Sequence, residues 1–88
     1  MHFVYMLKNN FDDLYIGITE NPNERLAYHN TKLGAQFTKN KQTFKIVFLE
    51  PYPTLLEARQ REIQIKKWRR DKKEVLIEKY SKGLTTRP

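Results

Sequence analysis

The sequence predicts a small α+β domain whose elements follow the order β-β-α-β-α-α. Two short runs of alternating, β-branched or aromatic residues open the chain on either side of a polar turn, and a third run begins at Thr43. Helix-capping patterns mark one helix before this third run and two helices after it. Because three strands cannot bury both faces of a sheet by themselves, we expect helices to cover it.

Length and charge narrow the class of protein. At 88 residues the chain fits one domain, which we predict to span residues 1–82, with a frayed tail at 83–88. The 17 Lys and Arg residues against 10 Asp and Glu give a net charge of +7, which favours a polyanionic partner, nucleic acid first. There is no cysteine, so thiolate metal sites are excluded. Without a signal peptide or a long apolar run, we expect a cytoplasmic protein with no membrane partner.

The first two strands form a β-hairpin. Residues 3–7 alternate in the pattern of a strand, residues 14–19 form a second apolar and aromatic run, and residues 9–13 between them have turn chemistry. Gly17 lies inside the second strand. A glycine at such a position leaves room for a close approach to the backbone, or it marks a bulge.

The first helix begins at a clear capping pattern. Asn21 is a suitable N-cap, a proline follows at the first helical position, and Glu24 stands three residues after the cap, so we predict a helix over about residues 22–30. Arg25 and His29 are four residues apart and share one face of this helix. An exposed arginine and a lone histidine with no function are the alternative interpretation.

The middle of the chain connects this helix to the third strand. Residues 31–42 are polar and indicate an irregular connection or a single short turn. Residues 43–50 are rich in β-branched and aromatic side chains and predict the strand itself. We expect Pro51 and Pro53 to end it.

Two helices follow, and the first contains a glutamate in an unexpected place. A capping box at residues 54–57 predicts a helix to about Arg70, and residues 71–74 repeat the pattern for a helix to about Tyr80. On the helical wheel of the first, Glu62 lies among apolar positions, where a carboxylate is costly unless it is paired or binds a cation. The alternative is an ion pair with Lys66 on a solvated face. The apolar positions are Leu55, Leu56, Ala58, Ile63 and Ile65.

Basic side chains crowd residues 59–73. Such a run is commonly a solvated helix face, but the charge of the whole chain favours contact with nucleic-acid phosphates. Trp68 within the run has the helical spacing of a partly buried packing residue, although stacking on a base is the alternative. The residues that we expect to bind nucleic acid are Lys66, Lys67, Arg69 and Arg70.

These motifs together resemble one family. Tyr5, the tripeptide Tyr15-Ile16-Gly17, the Arg25-x-x-x-His29 helix and Glu62 occur in the order found in GIY-YIG endonuclease domains, and the chain resembles their small stand-alone bacterial members along nearly its whole length. The resemblance implies a three-stranded, mostly antiparallel sheet flanked by helices. It also implies cleavage of phosphodiester bonds in DNA with one divalent ion, Mg²⁺ or Mn²⁺, and no small-molecule cofactor. RNA stays open as a substrate.

The resemblance assigns roles residue by residue. Glu62 would hold the metal, and Tyr5 or Tyr15 would help to deprotonate the attacking water. Arg25 would contact the scissile phosphate, while His29 would relay a proton or contact phosphate. A tyrosine, whose reference pKa is about 10, is a useful base only if nearby cations favour the phenolate. We expect these catalytic side chains to converge on one concave surface, with Gly17 in a structural role.

The chain departs from the family pattern in two places. Phe3 stands where the first motif has glycine, and residues 80–83 lack the asparagine that many members carry near the C-terminal helix, where Tyr80 or Ser81 are candidate substitutes. The alternative function is therefore a non-catalytic nucleic-acid-binding module that retains the nuclease fold, and a basic interaction protein without a nucleic-acid partner is a third. The resemblance also suggests structure-directed recognition and a link to DNA repair or recombination.

Overall fold

The computed structural model describes residues 1–33 and 42–87. Its elements follow the predicted order. They are β1 (His2–Asn9), β2 (Leu14–Thr19), α1 (Pro22–Tyr28), a π-helical segment (His29–Leu33), β3 (Phe44–Tyr52), α2 (Leu55–Lys66) and α3 (Arg70–Ser81). None of the helices in the described ranges is both long enough and apolar enough to cross a lipid bilayer.

The three strands form one antiparallel sheet with β1 in the centre, in the order β2-β1-β3. In the hairpin register Tyr5 lies opposite Gly17, and Leu7 lies opposite Tyr15. Side chains alternate between the two faces of a strand, so this register fixes which residues share a face. The predicted α+β class and the antiparallel sheet are both confirmed.

Each face of the sheet has its own helical cover and its own core cluster. Residues of α2 and α3 cover the face that we call the aliphatic face, and α1 covers the opposite face, which we call the aromatic face. The buried cluster of the aliphatic face consists of Val4, Met6, Phe48, Ala58, Ile65 and Leu76. The cluster of the aromatic face consists of Tyr5, Leu7 and Phe44, with Tyr15 and Leu26 packed against it.

The first helix begins as predicted but changes its form earlier than expected. The Asn21 side chain accepts a hydrogen bond from the Glu24 amide, 3.2 Å away, which confirms the cap. The α-helix ends at Tyr28 rather than Asn30 and continues as the π-helical segment. Asn30 there bonds to both backbone groups of Phe44 on β3, a tertiary link that no local pattern reveals. Most of the predicted irregular connection, residues 34–41, lies outside the described residues.

The third strand is longer than predicted, because Pro51 does not end it. Pro51 pairs with Phe3 inside β3, which runs on to Tyr52. A proline lacks the N–H that a second neighbouring strand would need, but β3 lies at the edge of the sheet and has only one neighbour.

The two predicted C-terminal helices both form, but the first ends early and a break around Trp68 separates them. The cap at Thr54 is confirmed by a 3.2 Å hydrogen bond from the Glu57 amide. The first helix ends at Lys66 instead of Arg70, and the amide of Trp68 closes a tight turn onto the Ile65 carbonyl at 3.0 Å. Packing of Trp68 against the aliphatic core, as predicted, explains the break.

The second of these helices does not use the cap that the sequence suggested. Arg69 is the N-cap of α3 and makes no side-chain capping bond, while Asp71 lies inside the first turn. An acidic residue there still interacts favourably with the helix dipole, which accounts for the pattern that suggested a cap.

The prediction of a frayed tail is wrong for the described residues that follow α3. The Thr86 hydroxyl donates to Glu50 at 2.6 Å, and the Thr86 carbonyl accepts from Arg61 at 2.8 Å. Arg87 donates to the carbonyl of Pro51. The tail is therefore docked against β3 and α2 by polar contacts that leave no periodic signal in the sequence.

Candidate active site

Tyr5 and Gly17 form the structural base of the candidate site. A methyl group added at Gly17 would lie 2.6 Å from the Tyr5 hydroxyl and 2.8 Å from the ring carbon that bears it. Of the two explanations that the sequence left open, close approach is the correct one, since the β1–β2 register continues through Gly17 without a bulge. The glycine lets the Tyr5 side chain lie flat across the neighbouring strand.

His29 lies among aromatic rings on the same face. Its ring centroid is 6.5 Å from that of Tyr5, 6.0 Å from that of Tyr15 and 5.4 Å from that of Phe44, each in an edge-to-face arrangement. Such contacts fix the orientation of a ring more tightly than aliphatic packing does. The structure therefore brings three of the predicted site residues together.

A hydrogen bond sets the protonation pattern of the histidine. Nδ1 of His29 lies 3.0 Å from the backbone carbonyl of Arg25. A carbonyl oxygen can only accept, so Nδ1 carries the proton and Nε2 of the neutral ring keeps its lone pair. The two residues share one helical face, as predicted, and the contact between them joins the His29 side chain to the Arg25 backbone. It leaves the Arg25 guanidinium exposed to solvent.

Burial and two charged residues affect the pKa of the Tyr5 hydroxyl. Burial raises its pKa, the Arg25 guanidinium lowers it, the Glu62 carboxylate raises it, and the net effect is upward. The condition for a tyrosine base, cations that favour the phenolate, is met in part at Tyr5, because Arg25 lowers its pKa while burial raises it by more. Its sensitivity to Arg25 and Glu62 nevertheless links residues of two helices to one hydroxyl.

Glu62 comes from the other layer of the molecule. It lies on α2, whose buried residues face the aliphatic side, and only 12% of its side chain is exposed. Its carboxylate pairs with Lys66 at 3.3 Å, so the alternative ion pair does form. The predicted apolar surroundings are only half present, because Leu56 and Ile63 are 66% and 47% exposed. Convergence of all five residues on one concave surface stays a prediction.

Metal binding at Glu62 rests on a single carboxylate. Within residues 1–33 and 42–87, no three His, Cys, Asp or Glu side chains are grouped so that they could enclose an ion. That donor set does not fit zinc, which takes three or four protein ligands. It does fit Mg²⁺, which keeps most of its waters and is held by one or two carboxylates together with substrate phosphates.

The predicted nucleic-acid-binding residues are not equally available. Arg70 binds the Asp12 carbonyl at 2.8 Å and the Glu74 carboxylate at 2.7 Å, so it ties α3 to the hairpin turn. Lys66 is paired with Glu62, whereas the Arg69 side chain is 92% exposed and 3.9 Å from its nearest carboxylate. Lys67 is also exposed. Lys67 and Arg69 are therefore the most available members of the set.

A buried ion pair lies next to this region in the sequence and was not foreseen from it. Arg61 donates to Glu50 at 2.7 Å, and both side chains are at least 95% buried, with exposures of 5% and 2%. Burial would raise the pKa of Glu50, but hydrogen bonds from Arg61, Thr86 and Tyr52 outweigh it, so that pKa lies below its usual value. Burial and the bond to Glu50 raise the pKa of Tyr52 to about 12.

The two candidate substitutes for the missing asparagine are engaged elsewhere. Tyr80 packs edge-to-face on Phe48, a residue of the aliphatic cluster, with ring centroids 6.0 Å apart. The Ser81 hydroxyl donates to the Glu78 carbonyl within α3 at 2.7 Å. Neither side chain turns toward the aromatic face.

Comparison with known proteins agrees with this geometry. The family model of the GIY-YIG catalytic domain matches residues 1–75, so the chain belongs to this family of nuclease domains. Two relatives are UPF0213 proteins of staphylococci. That of Staphylococcus epidermidis is 39% identical over 77 residues, which cover 88% of this chain and 94% of the relative. That of Staphylococcus aureus is 41% identical over 76 residues, covering 86% and 93%.

Two solved structures share the fold. The solution NMR structure of a UPF0213 protein from Bacillus halodurans aligns with a TM-score of 0.58 and 31% identity, covering 88% of this chain and 82% of that one. A solution NMR structure of an E. faecalis protein aligns with a TM-score of 0.64 and 29% identity, covering 91% and 85%. The chain is thus similar to UPF0213 proteins over nearly its full length.

Proposed function

We propose that the protein is a divalent-metal-dependent endonuclease that hydrolyses phosphodiester bonds in DNA. The observation that carries this proposal is the Tyr5 hydroxyl, which lies across Gly17 and responds to both Arg25 and Glu62. A phenol whose pKa is affected by a guanidinium and a carboxylate, with a histidine ring 6.5 Å away between centroids, is accompanied by the groups that phosphodiester hydrolysis needs. These are a phosphate contact, a metal ligand and a proton acceptor.

In this proposal Glu62 holds Mg²⁺ or Mn²⁺ and releases Lys66 when it does so. The ion, when bound, would polarise the phosphate and stabilise the leaving oxygen. Arg25 adds a fixed cationic group for the charge that develops on the phosphate oxygens, and its exposure leaves it accessible to a substrate.

Protons move through the aromatic face. Because the pKa of Tyr5 is raised, we propose that its phenol donates a hydrogen bond and orients the attacking water. Nε2 of His29 keeps its lone pair and can accept a proton directly or through Tyr15. The ring centroids of Tyr15 and His29 are 6.0 Å apart. Tyr15 stays the second candidate for the base.

Lys67 and Arg69 would bind backbone phosphates beyond the scissile bond, with Lys66 joining them once Glu62 is occupied. Contacts of this kind position a nucleic acid without reading its sequence. A domain of this size with a basic segment between α2 and α3 is suited to recognising the shape of DNA, so we propose structure-directed cleavage in the cytoplasm and a role in DNA repair or recombination.

One observation favours a second candidate function. Lys66 occupies Glu62 at 3.3 Å, and the asparagine position of the family has no substitute on the aromatic face. A non-catalytic nucleic-acid-binding module would keep the fold and the basic helix while Glu62 served only as the partner of Lys66.

Glu62→Gln separates the two functions. The amide keeps the shape of the side chain but loses the charge that anchors a cation, so we expect nicking of plasmid DNA in Mg²⁺ or Mn²⁺ to fall by about 100-fold or more. The melting temperature should stay within a few degrees, and DNA affinity should persist, because a negative charge leaves a site that faces phosphate.

The control is Glu57→Gln, which removes an exposed carboxylate from the same helix and should nick like wild type. Nicking, binding and thermal melting are compared on duplex, branched and single-stranded DNA. Metal-dependent nicking at the wild-type rate by Glu62→Gln would refute the metal role. Absence of nicking by wild type on every DNA would favour the binding module.

A further inference from the structure

A groove of about 690 Å³ opens beside the candidate site, between the end of β2, helix α1 and the first turns of α2. Arg25 lies in its wall together with Arg59, Tyr28 and Leu55. Arg25 therefore belongs both to the candidate site and to the groove. Any chain bound in the groove would continue directly from the phosphate that Arg25 is proposed to hold.

The two arginines of the groove differ from the other four in the sequence. Within the described residues, neither Arg25 nor Arg59 has an ion pair or a side-chain hydrogen bond. Arg61 binds Glu50, Arg70 binds Glu74 and Arg87 binds Pro51, whereas the Arg69 side chain lies outside the groove, 3.9 Å from Asp71. Two guanidinium groups that bind no oxygen atom of the described residues, one from each of two helices, thus line the same groove.

The two acidic residues that line the groove, Glu20 and Glu24, form no ion pair with either arginine within the described residues. Asn21 donates to the Glu24 carboxylate at 3.2 Å as part of the α1 cap. The Glu20 side chain is 75% exposed and lies 3.8 Å from His2 at the rim. Arg25 and Arg59 are therefore the charges that are left for a ligand, and a fork-shaped guanidinium is well suited to phosphate.

Apolar surface lies between the charges. Tyr28 is 50% exposed, and Leu55 is 46% exposed. The Arg25 guanidinium lies 5.9 Å from the centre of the Tyr28 ring, so the aromatic platform and one phosphate-binding group are adjacent. A phenol ring can stack only on a base whose face is free, which a base inside a duplex does not offer.

We propose that this groove binds an unpaired segment of nucleic acid next to the bond that is cut. Arg25 and Arg59 contact successive phosphates, and Tyr28 stacks on a base between them. The inference rests on the proposed function for the position of the scissile phosphate, and it adds that the substrate has a single-stranded segment at the cleavage site. Arg59 and Tyr28 become binding residues.

The test measures binding without metal, so that cleavage plays no part. Fluorescence anisotropy in EDTA compares a labelled single strand with a duplex of equal length, for DNA and for RNA, over a range of salt concentrations. We expect the single strand to bind more tightly. Tyr28→Ala should weaken it about tenfold without changing the salt dependence, and Tyr28→Phe should restore binding because the ring is kept.

Arg59→Ala should act differently from the tyrosine variant. It removes one phosphate contact, so affinity should fall and the slope of log K against log salt should become shallower by about 0.7. Arg59→Lys keeps the charge and should recover most of the slope. The matched control is Lys79→Ala, which removes an exposed positive charge outside the groove and should leave strand preference unchanged.

Each outcome supports or contradicts the binding of unpaired nucleic acid in the groove. Tighter binding of duplex, or losses in Tyr28→Ala and Arg59→Ala no greater than in the control, would overturn it. Equal losses for DNA and RNA strands support it, because stacking and phosphate contact do not depend on the sugar. If a variant melts early, Tyr28→Leu or Arg59→Gln replaces it.

Nicking in Mg²⁺, measured separately, keeps the two proposals apart. Wild type that nicks DNA while Tyr28 and Arg59 have no influence on binding would overturn the groove and leave the nuclease. Wild type that fails to nick, but whose binding depends on both residues, would leave the groove and overturn the nuclease.

Discussion

Glu50 on β3 and Glu62 on α2 are two carboxylates with little exposed surface. Glu50 is 2% exposed and receives hydrogen bonds from Arg61, Tyr52 and Thr86. Glu62 is 12% exposed, and its partner is Lys66, which is itself 53% exposed. A fully bonded carboxylate has no further capacity for a ligand, whereas one held by a single flexible lysine can exchange that partner for a cation.

A charge in a buried ion pair stabilises the fold, whereas a charge whose partner is exposed can exchange that partner for a ligand. Arg61 and Glu62 are neighbours in the sequence, yet Arg61 bonds to a buried carboxylate and Glu62 pairs with a half-exposed lysine. Removing one partner from a buried ion pair leaves an uncompensated charge, while an exposed partner is replaced by water. Stability measurements on the partners therefore test the distinction directly.

The largest difference in stability is expected between the two variants that each remove the cationic partner of one glutamate. Arg61→Ala leaves the buried Glu50 carboxylate without its ion pair and should lower the free energy of unfolding by about 3–5 kcal/mol. Lys66→Ala should change it by less than about 1 kcal/mol, because the Lys66 side chain is 53% exposed and water can replace it. Urea unfolding followed by circular dichroism measures both. Equal losses would show that the two carboxylates do not differ as described.

A smaller effect is expected from the docked tail. Thr86→Val keeps the shape of the side chain but removes the hydroxyl that donates to Glu50, so stability should fall by about 1.5–3 kcal/mol, as for other hydrogen bonds to charged groups. Thr85→Val, at the exposed neighbouring position, is the control and should stay within about 0.5 kcal/mol. The same unfolding assay applies. A neutral Thr86→Val would mean that the tail does not stabilise the carboxylate.

The smallest effect is expected in the pH dependence. The pKa of Glu50 is lower in the folded chain than in the unfolded one, so its contribution is present above the unfolded value and is lost as pH falls through the folded value. Wild type should therefore lose more of its free energy of unfolding than Glu50→Gln between pH 7 and pH 3. Glu74, whose pKa is also lowered, is present in both proteins and cancels. Parallel pH profiles would contradict this assignment.

Local sequence patterns were sufficient for the elements that depend on neighbouring residues. The caps at Asn21 and Thr54 were predicted because a side chain three residues from its target can bond it in only a few conformations. The hairpin was predicted from alternation and turn chemistry, and Gly17 as a point of close approach followed from its place in a strand. The resemblance then supplied the family and the order of the site residues.

The errors arose where distant residues compete with a local preference. Pro51 continues β3 because the strand lies at a sheet edge, and α2 ends early because Trp68 packs into the core. The basic run appeared uniform in the sequence, but Arg61 is buried, Arg70 is tied to the hairpin turn, and Arg59 lines a groove. A linear pattern gives the charge of a side chain but not its partners.

The sequence by itself determined the class, the strand and helix order and the identity of the candidate site residues, since these follow from period, capping and motif order. Only the tertiary structure decided what each charge does. It gave Glu50 three hydrogen-bonding partners and Glu62 one exchangeable partner, and among the described residues it left Arg25 and Arg59 without an ion pair. The reason is physical: burial and electrostatic pairing depend on distances between residues far apart in the chain, and those distances exist only after the sheet and its helices have packed.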